Sequence, residues 1–337
     1  HGDQWIEAEN LVANGPYAVS EWIHQDSLQM VKNPFWYGWE EDPRVGNVEV
    51  IDYVMIPEIS TGFAMYDNDE LDWARVPSDQ IDLVFDTSGP YGDEGAIAPD
   101  TCTYYYGFIT QKEAVSDPNV RRALSMAVDR KTLVEQVTKG GQLPANSFTN
   151  PLMYGTVAED PEVAPWALSE EMGGPGYEAA LEMAKPLMAD AGYPDGEGLE
   201  LNLSHNVSEG HARIAQAIQA MWTEAFPKMQ VNIETQEWGV YLDTLEFDSD
   251  FAGKPDVYRA AWCMDYPHAN NWVHEVFNSD SGANSPMLSR EDPLIGDLVD
   301  QYNALTLSAQ TAPPEEQLEI YKQAEQLLND DMAVPTL

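Results

Sequence analysis

LELNLSHNVSEGHARIAQAIQAMWTEAFPKMQVNIETQ (199–236) holds the change of pattern that decides the fold. Residues 199–206 read as a strand, 208–226 as a helix and 229–236 as a strand again. Outward from this unit the alternation continues. A helix over 177–191 precedes it; a short helix after Trp238, a strand DVYRAAW (256–262) and a helix over 268–277 follow. Two more helices, near 293–307 and 314–330, come last. Strands and helices in alternation predict an α/β lobe whose sheet is covered by helices.

Towards the amino end, TYYYGFI (103–109) reads as a strong strand. Asp117-Pro118 then starts a helix with the apolar stripe Val120, Ala123, Leu124 and Ala127. Asp129 caps a second helix, carried through Leu133, Val134 and Val137 to Gly140-Gly141. Residues 1–103 read as β-rich, with VEVIDYVMI (48–56) as a strand closed by Pro57. Ser78 is the expected N-cap of a short helix bearing Ile81, Leu83, Val84 and Phe85. The Gly- and Pro-punctuated SGPYGDEGAIAPD (88–100) is the expected loop. A chain of 337 residues is long for one core, so two lobes are expected, divided at 103/104. MAVPTL (332–337) reads as a strand that starts and stops at Leu337.

Sixteen basic residues face 58 acidic ones, a formal net charge of -42. Such a field repels nucleic acid and anionic lipid headgroups, so neither is an expected partner. No run approaches the roughly 18 apolar residues a membrane span needs. The chain opens at HGDQWIEAEN without a methionine and reads as processed or truncated. The only cysteines, Cys102 and Cys263, lie in aromatic, strand-like runs, and the sequence leaves open whether they bond.

The chemistry a catalyst needs is absent from the pattern. Of the histidines His1, His24, His205, His211, His268 and His274, the pair 205/211 is six apart across a strand-to-helix turn and 268/274 is six apart on a helix, so neither shares a helical face and no metal site is expected. There is no nucleophile elbow or P-loop, and GGPGYE (173–178) lacks the strand-turn-helix setting of a dinucleotide fingerprint. No cofactor is expected. Ten tryptophans and the run Tyr104-Tyr105-Tyr106 are more informative. Most of these rings are core, but strand geometry sends Trp262 and Cys263 to opposite faces, so one face is free to wall a cleft. Asp265 reads either as a strand-end acid leading into Pro267 or as an anion for an ammonium group.

Several segments together resemble the peptide- and nickel-binding class (family 5) of extracytoplasmic solute-binding proteins of ABC importers, above all its oligopeptide-binding, OppA-like members. They are NGPYAVSEW (14–22), VKNPFWYG (31–38), CTYYYGF (102–108), DPNVRRALSMAVDRKTLVEQV (117–137), GGQLPANSFTNPLMYG (140–155), AKPLMADAGYPDGEGLEL (184–201), QEWGVYLDT (236–244) and YRAAWCMDYP (258–267). The resemblance implies a two-lobed class II fold resembling periplasmic binding proteins, with mixed sheets covered by helices and joined by crossing strands. It implies a hinge-bending receptor that captures a peptide in the cleft and hands it to a membrane permease, without turnover. It also implies a Cys102–Cys263 disulfide, Asp265 on the ligand's α-amino group, and Arg259 on a ligand carboxylate. Trp238 and Leu242 match channel-lining positions, and Trp262, Cys263 and Tyr104 to Tyr106 lie on the strands at the cleft. A monomer on the outer face of the cytoplasmic membrane or in the periplasm, with a lipid anchor on the full-length protein as one option, is the expected context.

The chain departs from the pattern too: family members run longer at both ends, and EFDSDFAGKP (246–255) is longer and more acidic than expected. Other solutes on the same scaffold (a metal chelate, haem or an oligosaccharide) and an acidic hydrolase are the competing readings.

Overall fold

The computed structural model describes residues 2–41, 46–280 and 283–336, so His1 and Leu337, the end of the expected strand 332–337, lie outside the described residues. The chain divides into two compact units, His1–Val76 and Pro77–Leu337.

The first unit is an antiparallel meander of β1 (Tyr17–Ile23), β2 (Ser27–Lys32) and β3 (Val50–Val54), with a one-turn helix α1 (Gly38–Glu41) and a helix α2 (Ile59–Asp67). Gln25, at φ 64°, makes the left-handed step of the tight β1–β2 turn. The buried Asn33 explains the NPFWYG segment: its Nδ2 donates to the carbonyls of Ala13 and Gly15, and its own carbonyl takes the Trp39 indole N–H at 2.7 Å.

The second unit holds α3 (Ile81–Val84), β4 (Cys102–Phe108), α4 (Pro118–Met126), α5 (Arg130–Thr132), α6 (Tyr177–Asp190), β5 (Glu200–Asn206), α7 (Glu209–Ala225), β6 (Gln230–Gln236), α8 (Trp238–Leu245), β7 (Val257–Cys263), α9 (Asn270–Phe277), α10 (Gly296–Ala309), α11 (Pro314–Gln326) and β8 (Pro335–Thr336). Its sheet runs β6-β5-β7-β4-β8. β5 is parallel to β6 and β7, while β4 is antiparallel to β7 and β8. The mixed sheet and the β5–α7–β6 unit are as the sequence pattern predicts.

Alternation along β4 explains how the sheet carries a core on each face. Tyr106 and Phe108 join Val120, Leu124, Ala184, Ile218 and Trp222 from α4, α6 and α7 on one side. Tyr105 joins Phe148, Trp272, Phe277, Tyr302 and Tyr321 from α9, α10, α11 and a loop on the other. Gly107 is required where it stands, because a Cβ there would come within 2.2 Å of the Tyr258 ring on β7.

Three expectations are corrected. Residues 77–103 belong with the second unit, because Asp82 pairs with Lys139 at 2.6 Å and Asn150 Nδ2 reaches the Asp100 carbonyl. Ser78 does not cap α3; its hydroxyl takes a hydrogen bond from Arg213 at 2.5 Å. The helix begun by Asp129 loosens into a π-helical turn, Leu133–Thr138, which Lys139 ends at φ 56°, before the glycines are reached. Asp117 and Asp129 cap α4 and α5 as predicted, accepting from the backbone N–H groups of Asn119 and Thr132.

Candidate functional site

The parallel strands β5, β6 and β7 end at Asn206, Gln236 and Cys263, and α7, α8 and α9 begin beside those ends. In open α/β sheets this carboxyl edge is where ligands bind. The β5–β7 ladder stops at Ser204–Tyr258, whereas the β4–β7 ladder runs on to Cys102–Cys263. Among the described residues, β7 is therefore paired on one side only from Arg259 to Cys263, five of its seven residues.

Cys102 and Cys263 face each other in register and are joined by a disulfide, with Cα atoms 4.0 Å apart and a sequence separation of 161. This fastens β4 to β7 at the open end. Cys263 and Ala261 are exposed, on the strand face they share with Arg259.

Arg259 is 9% exposed. Its guanidinium lies 4.5 Å from the centre of the Tyr104 ring and donates to Asn206 Oδ1 at 3.3 Å. Its Nε has no hydrogen-bond partner, and among the described residues no carboxylate pairs with it. The backbone is held from the other side: the Tyr241 hydroxyl of α8 donates to the Arg259 carbonyl at 2.6 Å and to the Ser204 carbonyl at 3.1 Å. The Tyr104 hydroxyl lies 3.3 Å from His211 Nδ1 at the start of α7. Burial raises the Tyr104 phenol above its ordinary value, and the neighbouring guanidinium acts in the opposite sense, so the ring stays a neutral wall for the cation.

Asp265 follows two residues after β7 and is exposed. Its Oδ2 accepts from Asn271 Nδ2 at 3.0 Å and its N–H donates to Asn271 Oδ1 at 2.8 Å. Asn271 also reaches Glu275, whose other oxygen takes the Tyr266 hydroxyl at 2.5 Å. Burial, then the bond to Glu275, raises the Tyr266 phenol, which keeps it a donor. Among the described residues no cationic side chain pairs with Asp265.

The other expected site residues divide. Trp238 (49% exposed) and Leu242 (44%) stand on one exposed face of α8, four positions apart. Trp262 is half-buried against the second core and donates from its indole N–H to Asn271 at 3.3 Å, so it supports the Asp265 turn from behind the strand. Tyr105 and Tyr106 are corrected: one lies in each core, 4% and 2% exposed, and neither side chain is open to a ligand. Sequence reasoning missed Asn206, His211, Asn271 and Glu275. These are polar side chains on β5, α7 and α9, joined to Arg259 and Asp265 only through the fold.

Among the described residues no group of three or more His, Cys, Asp or Glu side chains is placed to hold a metal ion, and no helix is long and apolar enough to cross a membrane.

The family described as bacterial extracellular solute-binding proteins, family 5 Middle, matches residues 1–284. The periplasmic oligopeptide-binding protein OppA of Salmonella typhimurium is 30% identical over 336 residues, covering 99% of this chain and 56% of that protein. The "probable deoxycholate-binding periplasmic protein YgiS" of Escherichia coli is 29% identical, covering 98% of this chain and 56% of that protein. The solved structure of the Escherichia coli murein tripeptide binding protein MppA superposes with a TM-score of 0.81 at 27% identity, over 99% of this chain and 60% of that one. The chain thus spans a little over half the length of these relatives. On the match across most of its length, the chain belongs to family 5 of the bacterial extracellular solute-binding proteins.

Proposed function

We propose that the chain is the ligand-holding part of an extracytoplasmic peptide receptor, which passes short peptides to an ABC permease and does not transform them. The observation that carries this reading is the open stretch of β7, with a nearly buried guanidinium at Arg259 and a carboxylate at Asp265, neither of which has a counter-charge among the described residues. A peptide offers the complement of each: a carboxylate, an ammonium, and between them a backbone able to pair with a free strand edge. Arg259 and Asp265 stand six positions apart along β7 and the turn that follows it, which suits a short peptide.

The disulfide Cys102–Cys263 would hold this edge rigid, and Trp238, Leu242 and the Tyr104 ring would supply apolar and aromatic wall. Affinity drawn from backbone and termini leaves sequence preference broad. The proposed setting is the periplasm or the outer face of the cytoplasmic membrane, with the receptor acting as a monomer and with no nucleic acid among its partners.

A second reading, a different solute on the same scaffold, is favoured by the 29% identity to a relative named for deoxycholate. Deoxycholate carries a carboxylate for Arg259 but no ammonium for Asp265. Mass spectrometry of ligand released from the purified protein, followed by calorimetry with tri- to hexapeptides, separates the two. Bound peptides and saturable heats are expected; a steroid or sugar in the eluate with no heat from any peptide would overturn the peptide reading.

A further inference from the structure

We propose that Asn271 is the positioning residue of the amino-end site, the side chain that aims the Asp265 carboxylate. This rests on the peptide-receptor reading. An asparagine amide has two acceptor sites on oxygen and two N–H donors, and here all four are used. Oδ1 accepts from the Asp265 backbone N–H at 2.8 Å and from the Trp262 indole N–H at 3.3 Å. Nδ2 donates to Asp265 Oδ2 at 3.0 Å and to Glu275 Oε2 at 2.7 Å. The orientation of the amide is fixed by its neighbours, since two carboxylates face the nitrogen and two N–H groups face the oxygen; the flipped amide would lose every bond.

Asn271 is fully buried, at 0% exposure, in the first turn of α9, and the two residues that follow it, Trp272 and Val273, are also at 0%. Asn271 is thus seated on a packed helix, and through it both the main chain and the carboxylate of an otherwise exposed turn are tied to that helix. Binding groups held this way are set before the ligand arrives, which spares the cost of ordering them. Asp265 keeps its second oxygen, Oδ1, for the ligand. Glu275, one turn further along α9, shares the same Asn271 nitrogen, so the amide bridges the two carboxylates.

A residue that only stabilises the turn would weaken every ligand alike. A residue that aims Asp265 alters the preference for a free amino end. The experiment is calorimetry on the intact protein with one tripeptide in free-amine and N-acetylated forms, read as the ratio of the two dissociation constants. Asn271→Leu keeps the branching at Cγ and removes all four bonds; it is expected to cut that ratio about tenfold, the worth of one charge-assisted bond. Asn271→Ser, too short to span the two carboxylates and less disruptive to folding, is expected to do the same. In Asp265→Asn, which has lost the charge, adding Asn271→Ser is expected to change the ratio no further. Equal weakening of both peptides, with the wild-type ratio kept in both Asn271 variants, would overturn the assignment. A wild-type protein that binds both forms equally would bring down the peptide-anchor reading itself, and this assignment with it.

Discussion

Arg259 is the most costly residue in the site, a guanidinium taken largely out of water with a tyrosine face and one amide oxygen in place of a counter-ion. A cation–π contact of this kind supplies about 0.5–2 kcal/mol, well short of the several kcal/mol that desolvating an ion costs. The balance is recovered if a ligand carboxylate completes the site. Arg259→Met is therefore expected to remove the preference for peptides with a free over an amidated carboxyl end, by about 10–100-fold, with the folded state unimpaired or slightly more stable. Calorimetry with the two peptide forms, and a melting curve, check both halves; retained discrimination would reassign the carboxylate end.

Asp330 is a second residue whose environment can be tested. Burial raises its carboxyl from 3.8 to about 6, against the opposing bond from the Ala164 N–H. A carboxyl whose folded value lies above its unfolded one holds its proton more tightly when folded. Its contribution is thus fully present below about pH 4 and is lost as pH rises through about 6. Asp330→Asn keeps an acceptor for Ala164 and has no charge to form. Its melting temperature relative to wild type is expected to rise between pH 4 and about 6, then level off. Parallel melting profiles for the two proteins across that range would show that Asp330 does not titrate in this way.

At the scale of elements, the β4–β7 pair is the frame of the site, and the disulfide closes it across 161 residues. Breaking it by Cys102→Ser with Cys263→Ser is expected to cost about 2–5 kcal/mol, mostly through the freedom regained by the unfolded chain, and to loosen the free edge of β7. Chemical denaturation of the oxidised and double-serine proteins measures the first effect; an unchanged midpoint would place the bond outside the stability of this unit.

The elements themselves were largely legible in the sequence. The strands at 200–206, 230–236 and 257–263 and the helices that separate them fall within a few residues of the pattern, because period and caps are local signals. Three things were not legible, for physical reasons. Ser78 can cap a helix or bond a side chain, and Arg213, distant in sequence, decides which. The unit boundary depends on ion pairs such as Asp82–Lys139, which no local pattern encodes. Tyr105 and Tyr106 look like their neighbour Tyr104 along the chain, yet only the helices packed above and below the sheet bury two of the three. At the site, Asp265 and Arg259 were found through motif likeness, whereas Asn271 carries no signal until α9 is folded against β7.

At the scale of the whole molecule, the formal net charge of -42 sets the field in which the site works. An excess of this size favours the approach of an ammonium end and disfavours a free carboxylate in solution, more strongly at low salt. Within that field a buried arginine is the local exception that lets the other end of a zwitterion enter, and Asp265 is a point where the general attraction becomes a specific contact. The central claim is that this carboxylate holds the amino end of a peptide. Calorimetric titration of wild type and Asp265→Asn with one tripeptide, free and N-acetylated, tests it most directly. The account predicts that acetylation and the substitution each weaken binding about 10–100-fold and that the two losses do not add. Equal affinity of wild type for the two peptides, or full additivity of the two losses, would contradict it.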